Sequence, residues 1–305
     1  MAYDKIVDSS VLDAGLSKVA DAVRETTGTT EQMNFPDGIA ENISKFDRIA
    51  QLQKKCLDMA NSRGWGTYTF PSGATKVSGI YATNTADKAI LEMPDTITTV
   101  PNWGLGLCKQ FCPRRLSSSL TTIGEGGFCG CTNLAVTELP EGLTTIGNQA
   151  FQHCGQLAIS KIPSSVTTIG NYAFQYCAGI TLEEIPDNVT SLGYHGFGYC
   201  SNMNLKKLSE NCPVLPDYLF YYCYRGVSIT HIPACVTTIG RETFRNCSGM
   251  NYKNIYFDGT PTSIHSTAFQ GIYELTFYVP WAEGAVANAP WGCSTAKIVY
   301  NYTGE

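Results

Sequence analysis

The fold is decided by the stretch from Ile162 to Cys177, which reads IPSSVTTIGNYAFQYC. Its apolar, Gly, Phe and Cys positions return every 23 residues along most of the chain. The cysteine position holds Cys108, Cys131, Cys154, Cys177, Cys200, Cys223 and, one residue late, Cys247. A fixed period of this length predicts a solenoid in which each repeat forms one coil stacked on the previous one.

Two further positions of each coil follow the same frame. A phenylalanine stands three residues before the cysteine position, at Phe128, Phe151, Phe174, Phe197, Phe220, Phe244 and Phe269. An Ile or Leu stands five residues before each phenylalanine, at Ile123, Ile146, Ile169, Leu192, Leu215, Ile239 and Ile264. One coil buries roughly six large apolar side chains, worth about 2 kcal/mol each, against about 1.5 kcal/mol of ordering entropy for each residue. A lone coil is therefore not expected to fold, and the stack is the folding unit.

Composition narrows the class of protein. The chain has 305 residues, of which 43% are hydrophobic and 15% charged, with a net charge of −5, as in a soluble β-rich protein with tight turns. The weak acidity and the lack of a Lys or Arg run argue against nucleic-acid binding. No apolar run is long enough to insert into a membrane. The acidic N-terminus lacks the pattern of a signal peptide.

The sequence predicts four segments. Residues 1–64 form a helical attachment or oligomerisation segment, and residues 65–88 form a β-rich transition. Residues 89–274 form the solenoid, which is mainly β and has about seven to eight coils of 23 residues, and residues 275–305 form a C-terminal β cap. A cap is expected because the last coil otherwise exposes its core and an unpaired sheet edge.

Two helices are predicted in the N-terminal segment. Apolar residues from Leu12 to Val23 share one helical face, and this first helix ends near Gly28. A second helix follows the turn at residues 35–38 and ends near Gly64. Its apolar stripe is open to two interpretations: packing against the end of the solenoid, or a short coiled coil between sister chains.

The recurring Pro, Ile-Gly, Phe and Cys positions of this motif resemble the BspA-like branch of the leucine-rich repeat family, over about residues 89–272. For that family the resemblance implies a surface-exposed recognition solenoid without catalysis. Residues 134–140, LAVTELP, depart from the L-x-x-I-x-I-P strand of the family and leave the placement of this strand open.

The flanks of the chain are similar to tail-associated repeat proteins of phages and prophages of gut bacteria. The motifs that carry this similarity are VADAVRETTG from Val19, FPDGI from Phe35, VPWAEG from Val279 and APWG from Ala289. This resemblance implies a virion protein of the phage tail.

One polar position of each coil carries charges that alternate in sign. It holds Glu92, Arg115, Glu138, Lys161, Glu184 and Lys207, with His231 next. Each charge is expected to face opposite charges in the adjacent coils, which avoids like-charge repulsion. Because exposed ion pairs contribute only about 0 to 1 kcal/mol each, this column is interpreted as setting register and solubility.

The positions around each phenylalanine carry the candidate binding surface. They vary between coils while the scaffold positions stay fixed, and Tyr and Arg on a rigid frame are typical of recognition surfaces. The candidate ligand-binding residues are His153, Tyr172, Tyr176, Tyr194, His195, Tyr199, Tyr218, Tyr221, Tyr222, Tyr224, Arg241 and Arg245. The alternative is that the aromatic columns merely stack to stabilise adjacent coils.

The cysteine column is predicted to consist of buried free thiols. Side chains that point the same way into a core have the wrong mutual geometry for disulfides. No metal site is predicted, since Cys129 with Cys131 and Cys108 with Cys112 are the only tight pairs and lack histidine partners.

No catalytic residue or cofactor is predicted either. His153 and Cys154 are adjacent, but their side chains should point outward and inward respectively, so they cannot act as base and nucleophile. The sequence also contains no phosphate-binding loop, G-x-S-x-G or H-E-x-x-H motif.

The function predicted from these observations is that of a non-enzymatic recognition protein. Its expected partner is a bacterial surface glycan or protein, with a tail protein or sister chains bound through the N-terminal helices. The alternatives are a bacterial cell-surface adhesin or host-interaction protein, which would lie at the cell surface, and a structural spacer whose tyrosine face is inert.

Overall fold

The computed structural model describes residues 37–63, 67–77 and 89–304. The first predicted helix lies outside the described residues, as does most of the predicted β-rich transition. The second predicted helix is α1, Asp37–Ser62. Within the described residues, no helix combines the length and the apolar character needed to cross a membrane.

The remaining described chain is a β-solenoid of about nine turns, built from short parallel strands. The strands are β1 Thr99–Val100, β2 Thr122–Ile123, β3 Thr145–Ile146, β4 Thr168–Ile169, β5 Ser191–Leu192, β6 Val214–Leu215, β7 His231–Ile232, β8 Thr238–Ile239, β9 Asn254–Phe257, β10 Ser263–Ile264, β11 Thr276–Tyr278 and β12 Lys297–Val299. A 3-10 helix, Ser248–Met250, lies between β8 and β9. Residues 67–77 also join the ladders, through bridges from Thr67 to Ala89 and from Lys76 to Thr99.

The first ladder is formed by the Thr-Ile positions of the repeat. Strands β1 to β5 pair in sequence order, and in each of them the second residue is buried. Between coils, the Thr190 amide donates to the Thr167 carbonyl at 3.0 Å. Pro213 occupies the same position in the next coil and has no N–H to donate. The ladder therefore breaks there, and β6, β8 and β10 form a separate sheet.

The second ladder is regular only near the C-terminus. The sequence left the strand placement in residues 134–140 open, and the structure shows no strand there. A backbone bond from the Ala158 amide to the Val136 carbonyl, 3.1 Å long, links their coil to the next. Further along, β7, β9, β11 and β12 pair in parallel as one sheet. The C-terminal residues thus continue the solenoid by pairing β12 with β11.

The core is a stack of phenylalanine rings that runs the length of the solenoid. Neighbouring rings from Phe111 to Phe269 lie 5.1–5.8 Å apart between centroids, and their planes differ by 7–20°. Phe111 joins this stack from a different position of the repeat, because Leu105 occupies the phenylalanine position of its coil. The 23-residue frame therefore corresponds to one ring per coil from Phe128 onward.

The cysteine column packs beside the phenylalanine stack. All 13 cysteines are free thiols, and all but Cys235 are buried. The Cys177 thiol donates to the Phe151 carbonyl of the preceding coil, with 2.9 Å between Sγ and O. Burial raises the pKa of the Cys223 thiol to about 12, so the column stays protonated and keeps donating.

Candidate functional site

The candidate site lies on the turn that precedes each cysteine. In one coil, the amides of residues 149, 151 and 153 donate to the carbonyls of residues 171, 173 and 175 in the next coil, at 2.7, 2.8 and 2.9 Å. Of the three residues that donate these bonds, Phe151 is buried, and Gln149 and His153 on either side of it have positive φ, of 54° and 62°. The coils of Phe128 to Phe244 each carry two such left-handed positions, one on each side of the phenylalanine.

These left-handed positions form two columns on the outer surface. The first column contains Trp103, Gly126, Gln149, Tyr172, His195, Tyr218 and Glu242, and the second contains Leu107, Gly130, His153, Tyr176, Tyr199, Tyr222 and Asn246. All of these residues have φ between 52° and 71°. Glycine adopts this conformation without strain, whereas other residues adopt it at a cost.

The second column contains four aromatic rings stacked face to face. Ring centroids are 4.6 Å apart for His153 and Tyr176, 4.4 Å for Tyr176 and Tyr199, and 5.6 Å for Tyr199 and Tyr222. The planes of these pairs differ by 7°, 11° and 20°. We call these four residues the His153 column; stacking covers both faces of its two inner rings.

The first column contains a shorter stack, centred on His195. Its imidazole lies between the rings of Tyr172 and Tyr218, at centroid distances of 5.5 and 4.8 Å and plane angles of 12°. Tyr194 and Tyr221 meet the same imidazole edge-on, at 4.7 and 5.3 Å. We call Tyr172, His195 and Tyr218 the His195 column, and its histidine is enclosed by four tyrosines.

Tyr221 connects the two columns, because it contacts Tyr199 and Tyr218 at centroid distances of 5.6 and 5.3 Å. The Arg245 guanidinium lies 5.8 Å from the Tyr221 ring centroid. Through these and the contact of Tyr224 with Tyr222, the predicted residues except Arg241 form one continuous network. We call the two columns with Tyr194, Tyr221, Tyr224 and Arg245 the aromatic ridge.

Several polar side chains near the ridge are used by the scaffold. The Asn148 and Asn171 side-chain oxygens accept the amides of Asn171 and Tyr194 in the following coils, both at 2.9 Å. Asp217 accepts the Arg241 amide in the same way, and the Arg241 carbonyl accepts the Tyr218 amide, so Arg241 is held through its backbone. The aromatic rings are therefore the main side chains of this surface that remain available to a partner.

Three tyrosine hydroxyls of the ridge have raised pKa values, mainly because they are partly buried. Burial, with a smaller effect from the adjacent Tyr176, raises the pKa of Tyr199 to about 12. Burial likewise raises the pKa of Tyr194 and of Tyr221. These phenols act as protonated donors and acceptors at physiological pH.

Two exposed apolar residues extend the columns and were missed in the sequence. Trp103 and Leu107 occupy the left-handed positions of the coil before Gly126 and Gly130. A Cβ atom at Gly126 would lie 2.6 Å from Trp103 Cδ2, and one at Gly130 would lie 2.8 Å from Leu107 Cδ2. The glycines thus make room for these side chains. The 23-residue spacing from Gly126 and Gly130 could have identified both.

The basic residues of the alternating charge column also form diagonal ion pairs that the sequence did not predict. They pair with acids that lie outside the column in the preceding coil: Arg115 with Asp95 at 2.5 Å, Lys161 with Glu141 at 3.5 Å, and Lys207 with Asp187 at 3.1 Å. Within the column, Glu184 and Lys207 are bridge partners on adjacent coils, and the Glu184 charge contributes to raising the pKa of Lys207, so these opposite charges face each other as predicted. The 23-residue spacing identifies which residues share the column, but it does not show that long basic side chains reach diagonally to acids outside the column.

The same column continues as a second aromatic ladder, also missed in the sequence. His231 stacks on Tyr256 at 5.1 Å, Tyr256 on Tyr278 at 4.7 Å, and Tyr302 meets Tyr278 edge-on at 4.9 Å. His231 also contacts Asp258 at 3.1 Å. We call His231, Tyr256, Tyr278 and Tyr302 the terminal ladder. Among the described residues, no group of three or more His, Cys, Asp or Glu could hold a metal ion.

The stacked coils, the inward Phe and Cys columns and the outward ridge define a repeat scaffold of the leucine-rich type. The family model for the BspA type leucine rich repeat region (6 copies) matches residues 61–181 and 169–281. These matches cover more than half of the chain, which therefore belongs to the BspA-type leucine-rich repeat family. The match indicates a repeat scaffold and no enzymatic family.

The chain is similar to several solved structures of leucine-rich repeat proteins. A leucine-rich repeat protein from Bacteroides ovatus ATCC 8483 is 20% identical, with a TM-score of 0.50, over 70% of this chain and 62% of that protein. The T. pallidum leucine rich repeat protein is 22% identical, with a TM-score of 0.36, over 60% of this chain and 67% of that one. A leucine rich cell surface protein from Faecalibacterium prausnitzii A2-165 is 16% identical, with a TM-score of 0.30, over 71% and 83% respectively.

The similarity to the Bacteroides ovatus protein shows a shared fold alone, and the chain spans less than two thirds of that protein's length. No curated protein matches the chain.

The left-handed backbone gives a stability prediction at Tyr176, where φ is 61°. Tyr176→Gly should be more stable than Tyr176→Ala by up to about 1 kcal/mol, because alanine keeps the left-handed cost and loses the ring contacts. Urea unfolding of both variants measures the difference. The matched control is Tyr256, which lies in strand β9, where alanine should be the more stable replacement. Alanine being better at both positions would contradict a left-handed cost on the ridge.

The enclosure of His195 gives a pH prediction. Burial lowers the pKa of His195 from 6.5, against a smaller opposing effect of the Glu242 charge. The neutral ring therefore favours the folded state above about pH 6.5, and this contribution is lost as the pH falls through that value towards the lowered folded pKa. Between pH 7 and pH 5, the unfolding free energy of the wild type should fall more than that of His195→Phe. Equal slopes in the two proteins would contradict the prediction.

Proposed function

We propose that this protein is a non-enzymatic recognition protein that binds its partner through the aromatic ridge. The observation that carries the proposal is the placement of large aromatic side chains at backbone positions that favour glycine. Tyr172, Tyr176, His195, Tyr199, Tyr218 and Tyr222 all have φ between 52° and 62°.

The balance of energies favours a binding role over a purely structural one. A left-handed φ costs a non-glycine residue about 1–2 kcal/mol, and a stacked ring pair contributes about 0.5–1.5 kcal/mol. The two terms nearly cancel, so the stacks add little net stability compared with glycine. The chain itself uses glycine at the same positions in another coil, at Gly126 and Gly130. We infer that the aromatic rings are kept for the surface that they present.

The chemistry of the ridge suits an oxygen-rich partner. Stacking covers the ring faces, so ring edges and phenol hydroxyls are the parts left to contact a partner, and aromatic edges carry partial positive charge. Tyr176 and Tyr224 are 40% and 50% exposed, enough to make direct contact. Tyrosine loses little conformational entropy on binding. A bacterial surface glycan or a surface protein offers the hydroxyl and carbonyl oxygens that match this surface.

A triple substitution tests this proposal. Replacing Tyr176, Tyr199 and Tyr222 together with Ser should weaken binding to an array of bacterial glycans and surface proteins by more than about tenfold, since it removes the central rings. Replacing the same three residues with Phe keeps the stack and should show how much of the affinity depends on the hydroxyls.

The terminal ladder provides the matched control for this experiment. Tyr256→Ser with Tyr278→Ser disrupts a similar stack elsewhere on the solenoid and should leave array binding unchanged. Circular dichroism verifies the fold of each variant. Unchanged binding by the folded triple-Ser variant would instead favour the inert spacer.

A finer proposal places the protein in a phage or prophage tail, with the N-terminal helices attached to the particle or to sister chains. Its support is the flanking motifs alone, of which the C-terminal pair, from Val279 and from Ala289, lies in the described residues and the N-terminal pair lies largely outside them. The alternative is a bacterial cell-surface adhesin.

Mass spectrometry of phage particles purified from an induced host separates these two placements. The phage proposal predicts that the chain co-purifies with intact particles. Recovery only from the surface fraction of uninduced cells would contradict it and support the adhesin.

A further inference from the structure

Helix α1 docks on the first coils of the solenoid through a small interface. Its apolar contact is a cluster of small side chains, formed by Cys56 and Ala60 of the helix with Ala89 and Cys112 of the solenoid, and Leu91 packs at its margin. Because free energy from burial scales with apolar area, a cluster of this size contributes only modestly to holding the helix.

The polar contacts of the same interface are side-chain hydrogen bonds, one of which runs from Gln110 Nε2 of the solenoid to Met59 Sδ of the helix at 3.0 Å. Gln53 Nε2 of the helix donates to the Leu91 and Cys112 carbonyls at 3.0 and 3.1 Å. Arg48 Nη2 donates to Gln156 Oε1 at 2.8 Å, where both side chains are exposed. A helix held in this way opens more readily than the coils do, and a covalent link would change its behaviour strongly.

The interface brings two thiols together. Cys112 Sγ lies 3.9 Å from the carbonyl oxygen of Leu52, which is one helical turn before Cys56. The Cys56 and Cys112 side chains pack in the same buried cluster, and a hydrogen bond between them shifts the pKa values of both thiols. Both residues are buried, at 0% and 1% exposure. The two sulfur atoms therefore face each other across the junction between helix and solenoid.

The column cysteines are engaged differently. The thiols of Cys154, Cys177 and Cys200 each donate to a phenylalanine carbonyl of the preceding coil at 2.9–3.0 Å. The half-buried Cys235 likewise donates to backbone carbonyls, those of Ser209 and Cys212. These contacts belong to the scaffold, whereas the Cys56–Cys112 contact joins two separate parts of the chain.

We propose that Cys56 and Cys112 are a disulfide-forming pair that covalently docks helix α1 on the solenoid when the protein meets a disulfide oxidant such as oxidised glutathione. The Cys56 thiolate attacks one glutathione sulfur, forms a mixed disulfide and releases one glutathione thiolate. The Cys112 thiolate then attacks Cys56 Sγ and releases the second glutathione. Two cysteine thiols lose two protons and two electrons, and the oxidised glutathione becomes two molecules of reduced glutathione.

The local electrostatics support Cys56 as the attacking group. The hydrogen bond from Cys112 and, less strongly, the positive charge of Lys55 lower the pKa of Cys56, although burial opposes this. The same hydrogen bond and burial raise the pKa of Cys112, as expected for the thiol that remains protonated until the second step. Because both sulfur atoms are buried, the oxidant reaches them only while the helix is lifted from the solenoid. Lifting breaks the hydrogen bond between the thiols, and the positive charge of Lys55 is the effect that still favours the Cys56 thiolate in that state.

Peptide mapping of the oxidised full chain tests this proposal. The reduced protein is incubated with oxidised glutathione, denatured, alkylated and digested without reduction. We expect a Cys56–Cys112 cross-linked peptide, with the column cysteines alkylated. Cys112→Ser should abolish the cross-link, whereas Cys235→Ser, which removes the half-buried thiol, should retain it. Alkylation of both Cys56 and Cys112, or a cross-link of either to another cysteine, would overturn the proposal.

Limited proteolysis gives a second readout that does not depend on mass spectrometry. Cleavage within α1 should be at least about tenfold slower in the oxidised wild type than in the reduced one, because opening of the helix precedes cleavage. Cys112→Ser should show no such difference. Equal cleavage rates in oxidised and reduced wild-type protein, despite a formed cross-link, would overturn the docking role while leaving the pair itself established.

Discussion

The contact on which the solenoid depends joins the cysteine of each coil to the phenylalanine of the coil before it. The Phe151 carbonyl accepts the amide of Cys154 in its own coil at 3.0 Å and the thiol of Cys177 in the next at 2.9 Å. A thiol suits this place because it is small, tolerates full burial and still donates a weak hydrogen bond. Since each such bond joins consecutive coils, it sets the vertical register that stacks the phenylalanine rings.

This register also determines what the outer surface can carry. Each phenylalanine from Phe128 to Phe244 is flanked by two left-handed residues, and amides at these positions bond the next coil whether the residue is glycine or tyrosine, as the bonds of Gly126 and Tyr172 show. Backbone bonds thus maintain the turn, and side-chain identity there is free to vary. Residues from glycine to tryptophan occupy the two columns without interrupting the ladder. The turn around each phenylalanine, with its backbone bonds to the next coil, therefore allows the surface residues to vary while the buried residues stay constant.

The sequence predicted column membership well, because a fixed period assigns every residue to a column. The Phe and Cys columns, the Ile/Leu column and the ridge residues from His153 to Tyr222 were identified from spacing, whereas the strands at the Thr-Ile positions were not. Spacing does not reveal the sign of the backbone angle φ. The positive φ of the turn could therefore not be predicted in coils that have no glycine at these positions. Nor does spacing show how far a long side chain reaches, which is why the diagonal pairing of Lys207 with Asp187 was missed.

The remaining differences have local causes. Pro213 breaks the first ladder because a ring nitrogen cannot donate, a chemical property of one residue and not of the period. The Cys56–Cys112 contact was not foreseen because Cys56 lies outside the repeat, and only the docking of α1 brings it to the solenoid.

The position of the ridge within the stack follows from the strain that it carries. An interior coil gains an interface on both sides, whereas an end coil has only one. The aromatic residues with positive φ in the His153 column occupy coils that have neighbours above and below, where stacking can offset the left-handed cost. Gly130 and Asn246 hold the same position at the two ends of that column, and glycine and asparagine are the residues that adopt this conformation most easily. At Tyr176 and Tyr199, ring contacts on both sides offset the left-handed cost, which favours aromatic residues in the middle of this column.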